Sequence, residues 1–212
     1  MKTGSVRALG LGASLLALAH LLPMGSAAIN SGHGEPVAAK PGHVVLPVAT
    51  PRISLRGRLK DARVTLGKRP CDRWTGTRWQ CGPEPWKWVG PYQGKATADG
   101  RTRYRECIWA HPESGSPLKI TFDEVPAGRF VYGEATLLDV PHEGAAVEVR
   151  VIQGTRRLAS VRLTDKGGKR RWKPWRATVK RDSSDPLTFE ITTPKDSWRH
   201  VCFTAFVGEV VP

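Results

Sequence analysis

From residue 105 onward, apolar and polar positions alternate with a period of two, interrupted by turn residues roughly every 8–12 positions. Eight runs carry this pattern: 105–111, 118–123, 129–139, 145–153, 156–164, 174–181, 187–193 and 200–207. In the second run Leu118, Ile120 and Phe122 share one face, and in the fourth Val147, Val149 and Val151 oppose Glu148 and Arg150. Leu187, Phe189 and Ile191 repeat the pattern, as do Val201, Phe203, Ala205 and Val207. Little room is left for helix. The pattern predicts an all-β fold, an antiparallel β-sandwich with about eight strands arranged as a jelly roll.

Upstream the pattern is weaker. Residues 52–104 hold two short strand candidates, 53–55 and 62–66, and then four tryptophans (Trp74, Trp79, Trp86, Trp88) among prolines and glycines. This stretch is expected to form an irregular, disulfide-pinned N-terminal flap against the main domain at 105–212. Residues 29–51 are small, punctuated by Pro and Gly and without periodicity, which predicts an extended linker. Residues 1–28 read as a secretory signal peptide: Lys2 and Arg7, an apolar run over 8–22, then Ser26-Ala27-Ala28. That run of about 15 residues is short for the roughly 20 needed to span a bilayer. The expected location is secreted or periplasmic, with no membrane-spanning segment.

Export changes how the four cysteines are read. An even count in an exported chain argues for two disulfides rather than metal ligation. Cys71 and Cys81 suit a local closure, which leaves Cys107 with Cys202; the other two pairings, including Cys202 with the flap, stay open. The chain has 212 residues with 33 basic and 19 acidic side chains, and loss of the leader lowers its net charge from +14 to +12. The excess points to an acidic surface or polymer as a partner. No nucleophile elbow, phosphate loop or metalloprotease helix is present, and the acids Asp123, Glu124, Asp139, Glu143 and Asp165 are dispersed. No enzyme activity, cofactor or metal is expected.

The layout from Cys107-Ile-Trp-Ala-His-Pro112 through 118–123, 128–133 and 147–154 to Trp198-Arg-His-Val-Cys-Phe203 resembles the galactose-binding-like jelly-roll superfamily of secreted, bacterial-type proteins. That superfamily includes discoidin-type domains and carbohydrate-binding modules. The resemblance implies a non-catalytic module that binds sugars, lipids or protein surfaces.

Alternate loops of such a sandwich gather at one end, here 112–117, 140–144, 165–173 and 194–199. The candidate ligand-binding residues there are Lys169, Arg170, Arg171, Trp172, Trp198, Arg199 and His111. Arginine forks pair with carboxylate, sulfate or phosphate, and a flat indole stacks on a sugar ring. The expected partner is a glycan or an acidic envelope polymer, with nucleic acid disfavoured. A structural or protein–protein interaction module is the alternative. Against the binding role stands a plain structural one, in which the basic hairpin is merely solvated and its tryptophans tuck into the core. His111, held extended by Pro112, fits a hydrogen-bonded structural role first, with a ligand or metal role as the alternative.

Overall fold

The computed structural model describes residues 52–126, 128–140, 144–165, 169–180 and 183–209. The leader and linker expected over 1–51 lie outside the described residues. The N-terminal part supplies β1 (Ile53–Ser54), a 3-10 helix (Leu55–Asp61), β2 (Arg63–Leu66), β3 (Arg69–Pro70), β4 (Arg73–Trp74), β5 (Trp79–Gln80) and β6 (Trp88–Ala98). The rest supplies β7 (Arg101–Ala110), β8 (Leu118–Phe122), β9 (Phe130–Leu137), β10 (Val147–Gln153) and β11 (Arg156–Leu163). These are followed by β12 (Lys173–Thr178), β13 (Leu187–Thr192), β14 (Val201–Phe203) and β15 (Phe206–Gly208).

Strands β14 and β15 run along one side of β9 as a single strand broken at Thr204–Ala205. Counted as one, they bring the principal strands from β7 onward to eight. The first sheet orders them β7, β14/β15, β9, β12, and the second orders them β8, β13, β10, β11, with every pairing antiparallel. Spatial orders 1-8-3-6 and 2-7-4-5 define a jelly roll. The sandwich core is built from the predicted inward positions, including Leu118, Ile120, Val147, Val149, Leu187, Phe189, Val201 and Phe203.

The N-terminal segment is more integrated than a flap. Strand β2 adds to the second sheet beside β8, and β6 adds to the first beside β7. Leu55, Leu59, Val64 and Leu66 are buried in the same core as the later strands. The irregular, disulfide-pinned portion narrows to the stretch around Cys71–Cys81. Strand β7 also starts earlier than expected, at Arg101, because β6 gives it a partner along its whole length.

Both disulfides join the first-choice pairs, Cys71–Cys81 and Cys107–Cys202. Cys202 stands opposite Trp109 in the register, so its bond runs diagonally to Cys107, two residues along on the same face. The distal half of the β6–β7 hairpin lies over this bond. A Cβ on Gly94 would come within 2.6 Å of the Cys202 sulfur and 3.0 Å of the Cys107 sulfur, so only glycine fits where the hairpin crosses. Ala96, Cys107, Trp109, Leu138, Trp172 and Cys202 make a second, smaller apolar cluster under it.

Candidate functional site

The loop-end residues separate into a buried set and an exposed set. Arg199 is fully buried, donating to Asp165 Oδ2 at 2.9 Å, to the Ser197 carbonyl at 3.1 Å and to the Ala145 carbonyl at 3.3 Å. Arg170 is also buried, with Asp165 at 3.4 Å, and its backbone N–H donates to the Thr97 carbonyl. Trp172 packs in the second cluster and its indole N–H donates to the Arg103 carbonyl at 3.2 Å. Each of these three side chains is largely buried and ties a loop to the sandwich or to the hairpin above it. Trp175, with Ala177 and Val179, faces the core.

Lys169 and Arg171 remain exposed, and both pair with Asp99 at the tip of the β6–β7 hairpin. Such solvent-exposed pairs are weak and exchange readily with water or a ligand. They lie apart from the remaining candidates, His111 and Trp198.

Those two belong to a different arrangement, which the sequence did not assemble. Cys107, Trp109 and His111 project from the outer face of β7, because Ile108 and Ala110 point into the core. Opposite them, His200 and Cys202 project from the same face of the neighbouring strand. Trp88 stacks on Trp109 with ring centroids 3.9 Å apart and 21° between planes. Gly90 makes that stack possible, since a Cβ there would meet Arg78 at 2.7 Å and the Trp88 ring at 3.1 Å. The His111 and His200 rings are 5.3 Å apart, and Trp109 is edge-on to His200 at 5.5 Å. Arg78 caps the far side, its guanidinium 4.9 Å over Trp88.

Trp198 stands at the rim of this platform, 6.3 Å from the His200 ring and 48% exposed. Its backbone is in the left-handed region, φ 58°, a conformation that costs a bulky residue on the order of 1–2 kcal/mol. The cause is local. The turn closed by the Arg199 N–H on the Asp196 carbonyl places Arg199 inward and thereby turns Trp198 outward.

Both histidines of the platform are neutral at neutral pH. Burial, then His111 and Arg199 nearby, pushes the His200 imidazole down to about 4. Burial also lowers His111, against the opposing pull of Asp196 and Glu113. His111 Nδ1 is buried with no partner among the described residues. Flat apolar rings with a few neutral ring nitrogens can stack on and hydrogen-bond a polyhydroxylated ligand. Among the described residues no group of three or more His, Cys, Asp or Glu is placed to hold a metal ion. Trp88, Trp109 and His200 are the residues missed from sequence; the two-residue spacing of Trp109 from Cys107 and of His200 from Cys202 was the available signal for those two, and Trp88 carried none.

No family model matches the chain, and no curated protein matches it in sequence. Among solved structures it is similar to the CBM51-2 (in complex with GlcNAc) and INT domains of Clostridium perfringens ZmpB, at 12% identity and TM-score 0.47, covering 66% of this chain and 30% of that one. It is also similar to the M60 catalytic domain of that protein with its CBM51-1 and CBM51-2 domains (12%, TM-score 0.45, 70% and 15% covered). A third is TmCBM27, a carbohydrate-binding module with specific mannan recognition (9%, TM-score 0.39, 76% and 96% covered). The chain thus spans under a third of the Clostridium chains. All three contain carbohydrate-binding modules. The jelly roll itself rests on the strand order described above.

Proposed function

We propose that this chain is an exported, non-catalytic glycan-binding module that holds its ligand against Trp198 and the platform behind it. The observation that carries this is Trp198, a half-exposed indole kept in a strained backbone conformation at the edge of a stacked aromatic layer. Strain of this kind persists only where the surrounding structure enforces it, and it concentrates at ligand sites. The neutral histidines beside it supply donors and acceptors for hydroxyl groups. Two disulfides are in keeping with an oxidising, extracytoplasmic setting.

The test is retention of the full chain in affinity gels containing neutral polysaccharides, followed by a glycan array. A ring stacked on an aromatic side chain is worth about 1–3 kcal/mol, so Trp198→Ala is expected to weaken the best ligand by roughly five- to 150-fold. Trp198→Gly separates strain from recognition: glycine relaxes at this φ, so the variant should fold at least as well and still lose binding. Lys169→Ala and Arg171→Ala should leave neutral-glycan retention unchanged. Undiminished retention by Trp198→Gly would place the ligand elsewhere.

A further inference from the structure

Beyond the hairpin, the outer face of the first sheet carries a second concavity. Along β9 the outward positions run from Leu138 at the platform, through Thr136, to Glu134 and Tyr132. Along β14 and β15 they run from His200 through Cys202 to Thr204 and Phe206. Thr136 and Cys202 are fully buried, and Gly94 of the hairpin lies against Cys202. Past them the face opens into a cleft of about 570 Å³, a volume in the range of small-ligand sites.

The floor of this cleft is aromatic. Tyr132 and Phe206 sit directly opposite each other in register, with ring centroids 5.9 Å apart and 31° between planes. The break at Thr204–Ala205 is accommodated by Gly133, where a Cβ would collide with the Thr204 carbonyl. Interruptions of this type recur beside binding sites, where they re-aim side chains.

The rim is cationic. The Arg52 guanidinium lies 4.9 Å over the Phe206 ring, and Arg176 projects from β12 beside Tyr132. Arg105 holds Glu134 at 2.8 Å with Arg103 at 3.7 Å, and Arg56 holds Glu106 at 2.6 Å. Arg52 and Arg105 thus line the cleft with Glu106 and Glu134, Arg176 stands next to Tyr132 in register, and among the described residues neither Arg52 nor Arg176 forms an ion pair. Trp175 borders the cleft through its strand, while its side chain turns into the sandwich core against Phe189.

We propose that this cleft binds an acidic sugar: the ring lies against Phe206, with the largely buried Tyr132 at the base of the cleft, and its carboxylate or sulfate is held by the forks of Arg52 and Arg176. A guanidinium is the side chain suited to bidentate capture of such a group. Glu106 and Glu134 favour a sugar over a nucleic acid, because they accept the hydrogen bonds of its many hydroxyl groups. The site is separate from the Trp198 platform and does not depend on it.

The experiment titrates the full chain with trigalacturonate, its methyl ester, a sulfated glucose oligosaccharide and a single-stranded oligonucleotide, followed by calorimetry. The acid or the sulfated sugar should bind, and the ester should bind at least tenfold more weakly than the acid, as expected for loss of a charge-assisted pair. Arg52→Gln and Arg176→Gln should each lower that affinity about three- to tenfold while leaving neutral-glycan binding untouched. Trp198→Gly should leave acid binding intact, so failure of the platform and failure of the cleft are read separately. Equal binding of acid and ester where only these two bind, no effect of either arginine variant, tighter binding of the oligonucleotide, or no binding of either charged sugar at millimolar concentration would each overturn the proposal.

Discussion

Replacing Asp165 by Asn tests whether a buried charge cluster presents the Trp198 turn. Asp165 is 2% exposed and serves two buried guanidiniums, Arg199 at 2.9 Å and Arg170 at 3.4 Å. Its other oxygen accepts the Gly144 N–H at 3.4 Å. The amide keeps the shape and removes the charge, so two buried cations lose this carboxylate. Breaking a buried pair in this way costs about 3–5 kcal/mol, against a total stability of roughly 5–15 kcal/mol for a domain. At about 2–4 °C per kcal/mol, the thermal midpoint should drop by roughly 6–20 °C. Circular dichroism melts at pH 7 measure it, with Asp99→Asn as the exposed comparison, where the loss should stay below about 1 kcal/mol. Adding Arg199→Met to Asp165→Asn should recover part of the loss, since one buried charge is then replaced by an apolar stem. Because Arg199 points inward between Trp198 and His200, glycan retention should also fall in Asp165→Asn at temperatures where it is folded. A midpoint within about 2 °C of the parent would refute the reasoning.

Two further predictions concern pH and the disulfides. His200 titrates near 4 when folded, against an ordinary value of 6.5, so the unfolded chain takes up its proton first. Stability is therefore fully present above about pH 6.5 and declines as pH falls towards 4; His200→Gln should flatten that decline in urea titrations across the window. The Cys107–Cys202 bond closes 95 residues and the Cys71–Cys81 bond closes 10, which corresponds to about 4.7 and about 2.7 kcal/mol of chain entropy. Paired Cys→Ser replacement at 107 and 202 should therefore lower the urea midpoint more than the same change at 71 and 81. The reverse order would mean that native packing, not loop closure, dominates.

The jelly roll was legible because its core positions alternate strand after strand, and a buried face leaves no other register open. What escaped was the strand β6. Its sequence, with Gly90, Pro91 and Gly94, reads as loop, and among its residues only Val89 belongs to the sandwich core. The glycines are there because a ring at Trp88 and a disulfide at Cys107–Cys202 occupy the space of a side chain, and neither neighbour is visible locally. Leu55 and Leu59 escaped for another reason: they sit one helical turn apart in a segment scanned for alternation.

The site was only half legible, and the reason is the same hairpin. Period two separates the inside of a sandwich from its outside, but outside is exposed only where nothing else covers it. Trp109, Thr136, Trp172 and Cys202 all belong outside the sandwich core, and all are buried by the β6–β7 hairpin and the loops it engages. The basic run at 169–172 therefore looked like a ligand loop while two of its four residues, Arg170 and Trp172, serve to fasten that hairpin. The charge that reaches solvent there, on Lys169 and Arg171, is spent on Asp99 at the hairpin tip. By covering the middle of the sheet, the hairpin also divides its outer face into an aromatic platform around Trp198 and an arginine-lined cleft around Tyr132 and Phe206. A fold with one open sheet face would present one continuous surface; this one presents two of different composition, one built on aromatic rings and neutral histidines and one lined with arginines and glutamates. Shortening the hairpin tip at Asp99–Gly100 by loop replacement should merge them, releasing Trp172 to solvent and raising its fluorescence emission wavelength. Emission that stays blue, with the cluster still dry, would mean that the loops alone bury it.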